Sequence, residues 1–190
     1  MPLIIDNLKE AINGESNAKR KYELFAKQAA RENFPEIANL FKAISSAEGI
    51  HIKNHLKALS VITGSEINPK DFVKIDENEL KSHVKNTKSN LIDAINGETF
   101  ETKKMYKQFV KNSKKEGYDA AELTFTLAQK AERVHARIYS KFLKILEKNK
   151  LFRTMDIYVC QICGNVEFEK APSICPLCEH TQKFFKKIEP

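Results

Sequence analysis

Apolar positions along the first 150 residues recur at helical spacing with charged residues between them, and the pattern reads as four helices. The first runs from about Asp6 to Arg31, with Asp6 as its N-cap and Ile12, Leu24 and Phe25 among its apolar positions. Asn33-Phe34-Pro35 breaks it. Pro35 suits the first turn of a second helix, which continues to Thr63 and stops at Gly64. A polar, proline-containing connection follows over 65–75. Asp76 with Glu79 resembles a capping box and opens a third helix that ends near Gly117. Asp119 with Glu122 is a similar start signal for a fourth, which runs to about Asn149. Residues 151–153 are a short linker, and 154–190 hold short β-like runs such as 156–159. The apolar stripe through Phe25, Leu40, Phe41 and Leu56 reads as core or dimer surface.

Connection lengths give topology. The breaks within the first and second helix pairs are a few residues, so each pair is an antiparallel hairpin. The middle connection of about 12 residues extends to roughly 40 Å. A helix of about 28 residues is about 42 Å long, so this connection nearly traverses the bundle and leaves helices two and three parallel. The expected fold is therefore mainly α: a ferritin-like four-helix bundle with one long crossover over 1–150, plus a small C-terminal metal-binding β domain over 154–190. An up-down-up-down bundle with a loose loop is the alternative.

Composition agrees with helices. Of 190 residues, six are Gly, six Pro and none Trp, which argues against an all-β or collagen-like chain. A hydrophobic content of 42% suffices for a core and excludes disorder. No apolar run approaches the ~18–20 residues that span a bilayer. Residues 1–10 lack a basic and an apolar signal region, so a cytoplasmic protein without a membrane partner is expected. The net charge of +7 permits a nucleic-acid partner. The basic residues are interspersed with acids, as in 98–104, and no aromatic-basic platform accompanies them. A solvated Lys-rich surface and no nucleic acid is the expectation.

The four cysteines change the picture. All lie between 160 and 178, as Cys160-x-x-Cys163 and Cys175-x-x-Cys178, and none is spread to staple the bundle. Paired knuckles of this kind converge four thiolates on one metal ion. A tetrahedral all-sulfur site suits iron and zinc alike.

A repeat with a period of 83 to 84 residues carries the second chemistry. Residues 8–15 match 91–98, each ending in Asn-Gly-Glu, and Ala47-Glu48-x-x-His51 matches Ala131-Glu132-x-x-His135. Each hairpin thus has one Glu on its first helix (Glu15, Glu98) and a Glu-x-x-His on its second (Glu48 and His51, Glu132 and His135). Residues i and i+3 share a helix face. Across each hairpin the depths agree to about 5 Å, so all four helices deliver to one layer. Four carboxylates buried together cost several kcal/mol per ion, and a pair of divalent cations removes that penalty. One Glu from each of two helices plus Glu-x-x-His from each of the others is the di-iron carboxylate arrangement. Glu101, at i+3 from Glu98, stands where the first half has Ala18. On spacing alone a fifth inward carboxylate and an exposed Glu beside Lys103 and Lys104 are equal readings.

These motifs, with Cys163-Gly164 and Cys175-Pro176, resemble the rubrerythrin family over essentially the whole chain. The resemblance implies a non-haem di-iron site with Glu15, Glu48, His51, Glu98, Glu101, Glu132 and His135 as ligands and catalytic residues. Glu48 and Glu132 would bridge the irons, and Glu101 and His51 would exchange on one of them. Tyr22 and Tyr106 match tyrosines that hydrogen-bond site carboxylates. His55 is assigned to packing or to support of the site, and His83 and His180 to ordinary polar roles. The tail is similar to a rubredoxin-like centre holding a mononuclear iron on Cys160, Cys163, Cys175 and Cys178. Glu179 stands where rubredoxins carry Gly, which leaves zinc open there. The implied activity is a peroxidase that reduces hydrogen peroxide to water in oxidative-stress defence. Its electrons would enter through the tail from rubredoxin or an NAD(P)H-dependent reductase. The chain would form a homodimer or larger homo-oligomer in which one chain's tail serves another's bundle. A ferritin-type iron oxidase or storage protein is the alternative.

Overall fold

The computed structural model describes residues 2–189. Two helical hairpins build the bundle. Helix α1 (Leu3–Arg31) turns at Asn33, whose φ is 61°, into α2 (Pro35–Thr63). The second hairpin pairs a segmented helix, α4 (Thr87–Phe100) and α5 (Tyr106–Glu116), with α6 (Asp119–Glu147); a five-residue π-helical stretch, Glu101–Met105, joins α4 to α5. Gly64 and Gly117 end their helices with φ of 66° and 75°, the left-handed caps that glycine adopts without steric cost.

Ile4 near the start of α1 donates its N–H to Glu116 at the end of α5, while Glu32 just past α1 accepts from Thr87 N–H at the start of α4. Helix α1 is thus antiparallel to α4–α5 as well as to α2, so α2 and α4 run parallel. The crossover between them is the ferritin-like one.

Three sequence expectations shift. Helix α1 starts at Leu3, with Asp6 in its first turn rather than at its cap, because Ile4 is buried against α5 and extends the helix. Asp76 does cap a helix, accepting from Asn78 and Glu79 N–H, but that helix is only α3 (Glu77–Ser82). The long helix begins ten residues later, where Asn86 accepts from Ser89 N–H and Glu32 from Thr87 N–H. These two acceptors satisfy first-turn amides and restart the chain. The crossover therefore spans 64–86 and is tied to α1 by Arg20, which grips Glu77 at 2.5 and 3.0 Å. At α6, Asp119 is the first helical residue and the Tyr118 carbonyl takes the early amides.

The tail is a three-stranded antiparallel sheet of β1 (Ile157–Cys160), β2 (Val166–Phe168) and β3 (Phe185–Ile188), with β1 in the middle. Ile157, Val159 and Val166 join one core with Leu40, Phe41 and Ile44 of α2. The nine linker residues between α6 and β1 reach about 30 Å. His135 lies 12 residues before the end of α6, about 18 Å along the axis. The tail therefore folds back onto its own bundle, and contact between tail and bundle needs no second chain.

The two cysteine knuckles share a backbone form but not a constraint. Gly164 N–H donates to Cys160 O and Glu179 N–H to Cys175 O, both at 2.9 Å, and both residues have positive φ, 76° and 63°. A Cβ on Gly164 would lie 2.5 Å from His51 Nε2, so glycine is required twice over. Glu179 is exposed and has only the backbone cost of its left-handed conformation, about 1 kcal/mol. Gly164→Ala is expected to release the tail from the bundle at a cost of about 1–3 kcal/mol, read as faster proteolysis around Leu151. Glu179→Gly is expected to leave that rate unchanged; equal protection of both variants would contradict the steric argument.

Candidate metal centres

Four helices deliver buried donors to one layer, between two aromatic clusters. Glu15, Glu48, His51 and Glu132 form one group, and Glu48, Glu98, Glu132 and His135 another; within each, ligand atoms lie within 4.8 Å of one another. All six residues are at most 1% exposed. Glu48 and Glu132 belong to both groups, the arrangement of two adjoining positions with shared carboxylates. Half-buried Glu101 belongs to neither group, although the cluster carboxylates, after burial itself, hold its pKa well above the usual range.

The orientation of the imidazoles is fixed from outside. His51 Nε2 lies 3.2 Å from Cys163 O and His135 Nε2 3.0 Å from Gly164 O. A carbonyl only accepts, so each Nε2 carries a proton, and Nδ1, which faces the carboxylates, is the nitrogen that would take a metal in place of a proton. His51 Nδ1 is 2.7 Å from Glu132 and 3.1 Å from Glu48. His135 Nδ1 is 2.7 Å from Glu132 and 3.4 Å from Glu98. Asn54 Nδ2 donates to Ile162 O at 2.8 Å and secures the same knuckle.

The tyrosines cross between the halves. Tyr22 of α1 donates to Glu98 at 2.5 Å, and Tyr106 of α5 donates to Glu15. Burial, then the adjacent carboxylate, holds both phenols protonated. Each leaves its partner's second oxygen unpaired: Glu15 Oε2 and Glu98 Oε2 have no hydrogen-bond partner, nor do both oxygens of Glu48, Glu132 Oε1 and His51 Nδ1. Buried acceptors left facing one another are destabilising unless a cation lies among them. The donor set fits two divalent metals.

The π stretch explains the change of repeat period. Glu15 and Tyr22 are seven residues apart, close to two α-helical turns, whereas Glu98 and Tyr106 are eight apart. The extra residue would rotate Tyr106 by about 100°, away from the site. The π-helical stretch absorbs it and returns Tyr106 to the inner face. The slip from 83 to 84 between Glu98 and Tyr106 was a sequence signal for this bulge.

Sequence reasoning did not anticipate the docking contacts of Gly164 and Asn54, which depend on tail placement rather than on spacing. Phe25, Leu40 and Phe41 are fully buried and Leu56 partly so, which settles the stripe as core. His83 and His180 are exposed.

In the tail, Cys160 and Cys178 Sγ are 3.7 Å apart and Cys163 and Cys175 Sγ 3.6 Å. A tetrahedron with metal–sulfur bonds of about 2.3 Å has edges of about 3.8 Å. None of the four cysteines is in a disulfide, and their ligand atoms lie within 4.8 Å of one another.

Comparison with known proteins agrees with both centres. Residues 6–143 match the Rubrerythrin family model, and 158–186 match the rubredoxin-like domain of rubrerythrin. Rubrerythrin-1 of Clostridium acetobutylicum is 32% identical over 95% of this chain and 92% of its own. Nigerythrin of Nitratidesulfovibrio vulgaris is 35% identical over 92% of this chain and 81% of its own. A solved mixed-valent state of nigerythrin superimposes with a TM-score of 0.85 at 30% identity, over 97% of this chain and 86% of that one. With a di-iron-type Glu/His site in the bundle and a rubredoxin-like four-cysteine iron site in the tail, the chain belongs to the rubrerythrin family.

Proposed function

We propose that the chain is a peroxidase reducing hydrogen peroxide to water, with bundle residues 1–150 as the catalytic unit and tail residues 154–190 as the electron entry. Glu15, Glu48, His51, Glu98, Glu132 and His135, joined by Glu101, would hold two irons, and Cys160, Cys163, Cys175 and Cys178 would hold a third. When bound, the bundle irons supply Lewis acidity and the two electrons that peroxide accepts, and the tail iron supplies their replacement. The observation that carries this reading is the pair of contacts from His51 and His135 to Cys163 O and Gly164 O, which places both imidazoles of one centre on a knuckle of the other.

The residues divide the work. Glu48 and Glu132 would serve both metal positions, because each belongs to both groups. Tyr22 and Tyr106 hold Glu98 and Glu15 by one oxygen and leave the other to a cation. Cys163 O and Gly164 O keep the imidazole protons on Nε2 and the Nδ1 lone pairs on the site. Phe25, Phe41, Phe109 and Phe125 exclude water around the layer. No helix among the described residues is long and apolar enough to cross a membrane. The proposed compartment is the cytoplasm, where reducing conditions keep cysteines available as thiolate ligands. Rubredoxin or an NAD(P)H-dependent reductase is the proposed donor, and a homodimer or larger assembly the proposed form.

Single-turnover oxidation of the reduced, iron-loaded chain is the direct test. Oxidation by peroxide is expected to outpace oxidation by dioxygen, with about three irons per chain and a ferric-thiolate visible spectrum. Equal rates, or growth of a mineral core, would favour a ferritin-type oxidase instead.

Metal removal gives a second expectation. Burial, then neighbouring carboxylates, raises the pKa of Glu48, Glu101 and Glu132 well above 4.5. A carboxyl raised on folding contributes stability that is present below its unfolded pKa and lost as pH rises toward the folded one. His51 and His135 are raised above 6.5, since nearby carboxylates outweigh their burial, and they act in the same direction. Glu15, lowered to about 2 because His51 outweighs its burial, loses its contribution only in strong acid. The urea midpoint of the metal-free chain is therefore expected to fall between about pH 5 and pH 8, whereas that of the iron-loaded chain does not. A metal-free midpoint that rises over this range would contradict the assignment of the cations as counter-charges.

A further inference from the structure

The repeat gives the residues around the bundle site counterparts, and one buried pair is chemically mismatched. His55 follows His51 by four residues, and Tyr139 follows His135 by four. Both are fully buried. Each completes an aromatic cluster of the same plan: Tyr139 packs on Tyr22 and Phe41 at 5.6 and 5.2 Å, His55 on Tyr106 and Phe125 at 5.7 and 5.3 Å. Their polar surroundings differ. The Tyr139 hydroxyl has no hydrogen-bond partner. His55 Nε2 lies 3.0 Å from Tyr106 Oη, and its Nδ1 lies 2.9 Å from Thr124 Oγ1. The counterpart of Thr124 in the first half is the apolar Leu40.

Proton counting gives this chain a direction. Tyr106 has one hydroxyl proton, and it goes to Glu15. Tyr106 Oη must then accept from His55, so Nε2 carries the ring proton. Burial keeps the ring neutral, lowering its pKa to about 3. Nδ1 is then a bare acceptor for the Thr124 hydroxyl. The order is Thr124 to His55 to Tyr106 to Glu15, every hydrogen bond pointing toward the site. Tyr22, the counterpart of Tyr106, donates to Glu98 with Tyr139 packed beside it in the place of His55.

We propose that His55 is a positioning residue: oriented by Thr124, it donates from Nε2 to Tyr106, fixes Tyr106 as a one-way donor to Glu15, and makes the Glu15–His51 half of the site chemically unlike the Glu98–His135 half. A phenol that accepts a hydrogen bond donates a stronger one. Glu15 is thereby held more firmly than Glu98 and presents less charge to its metal position. The kinetic consequence rests on the peroxidase reading; the hydrogen-bond direction does not.

Two measurements test it on the full chain. Nitrogen-15 NMR of the zinc-loaded protein reads the His55 tautomer. A neutral ring protonated on Nε2 between about pH 6 and pH 8 is expected, and an Nδ1–H tautomer or an imidazolium overturns the proposal. In the iron-loaded chain, His55→Leu is expected to lower kcat for peroxide about tenfold with KM within about twofold. His55→Gln, whose amide donates to Tyr106 and accepts from Thr124, is expected to restore most of that loss. No loss in His55→Leu, or equal loss in both variants, overturns the positioning role. If the unaltered chain reduces no peroxide, the peroxidase reading fails while the tautomer still decides this one.

Discussion

The burial of Glu15, Glu48, Glu98 and Glu132 in one layer of the bundle is the constraint on which the rest of the structure depends. Each ion removed from water costs several kcal/mol, and four together add mutual repulsion. Protons relieve this at low pH, because burial and mutual repulsion raise the pKa of Glu48 and Glu132, and that relief is lost as pH rises. Two cations relieve it directly. The surrounding chain is arranged so that every other partner approaches from outside the layer. Tyrosines reach the outer carboxylate oxygens, backbone carbonyls hold the outer imidazole nitrogens, and aromatic clusters pack above and below. The inner faces remain for metal.

Much of this was legible because the site is written twice. Two Asn-Gly-Glu motifs and two Glu-x-x-His motifs at nearly one period place donors on all four helices without any knowledge of packing. The tetrathiolate site was legible for a similar reason, since Cys-x-x-Cys is a local geometry. Helix ends at Gly64 and Gly117 followed from backbone sterics at those residues alone.

What the sequence concealed depends on residues distant in the chain. The start of α4 is set partly by Glu32, 55 positions away from the Thr87 amide it accepts. Asp76 satisfied a local rule and capped a real helix, but no local rule states that this helix ends at Ser82. The π-helical stretch lay between the two kinds of knowledge. Its cause, one residue too many between Glu98 and Tyr106, was visible in the repeat. Its result, Tyr106 returned to the inner face beside Glu15, required the fold.

The departures from the repeat are as informative as the repeat itself. A duplicated hairpin, left symmetric, would give two equivalent metal positions and nothing to distinguish them. Glu101, the inserted residue of the π-helical stretch and the change from Tyr139 to His55 each break that equivalence next to the site. The tail does not: it touches the two imidazoles through adjacent carbonyls, Cys163 and Gly164, at nearly equal distances. Such even contact is available only because residue 164 has no side chain to separate the knuckle from His51. The same left-handed turn at Glu179 meets no imidazole and carries a side chain. Asymmetry is thus built into the bundle, where the ligands are, and kept out of the contact through which the two centres meet.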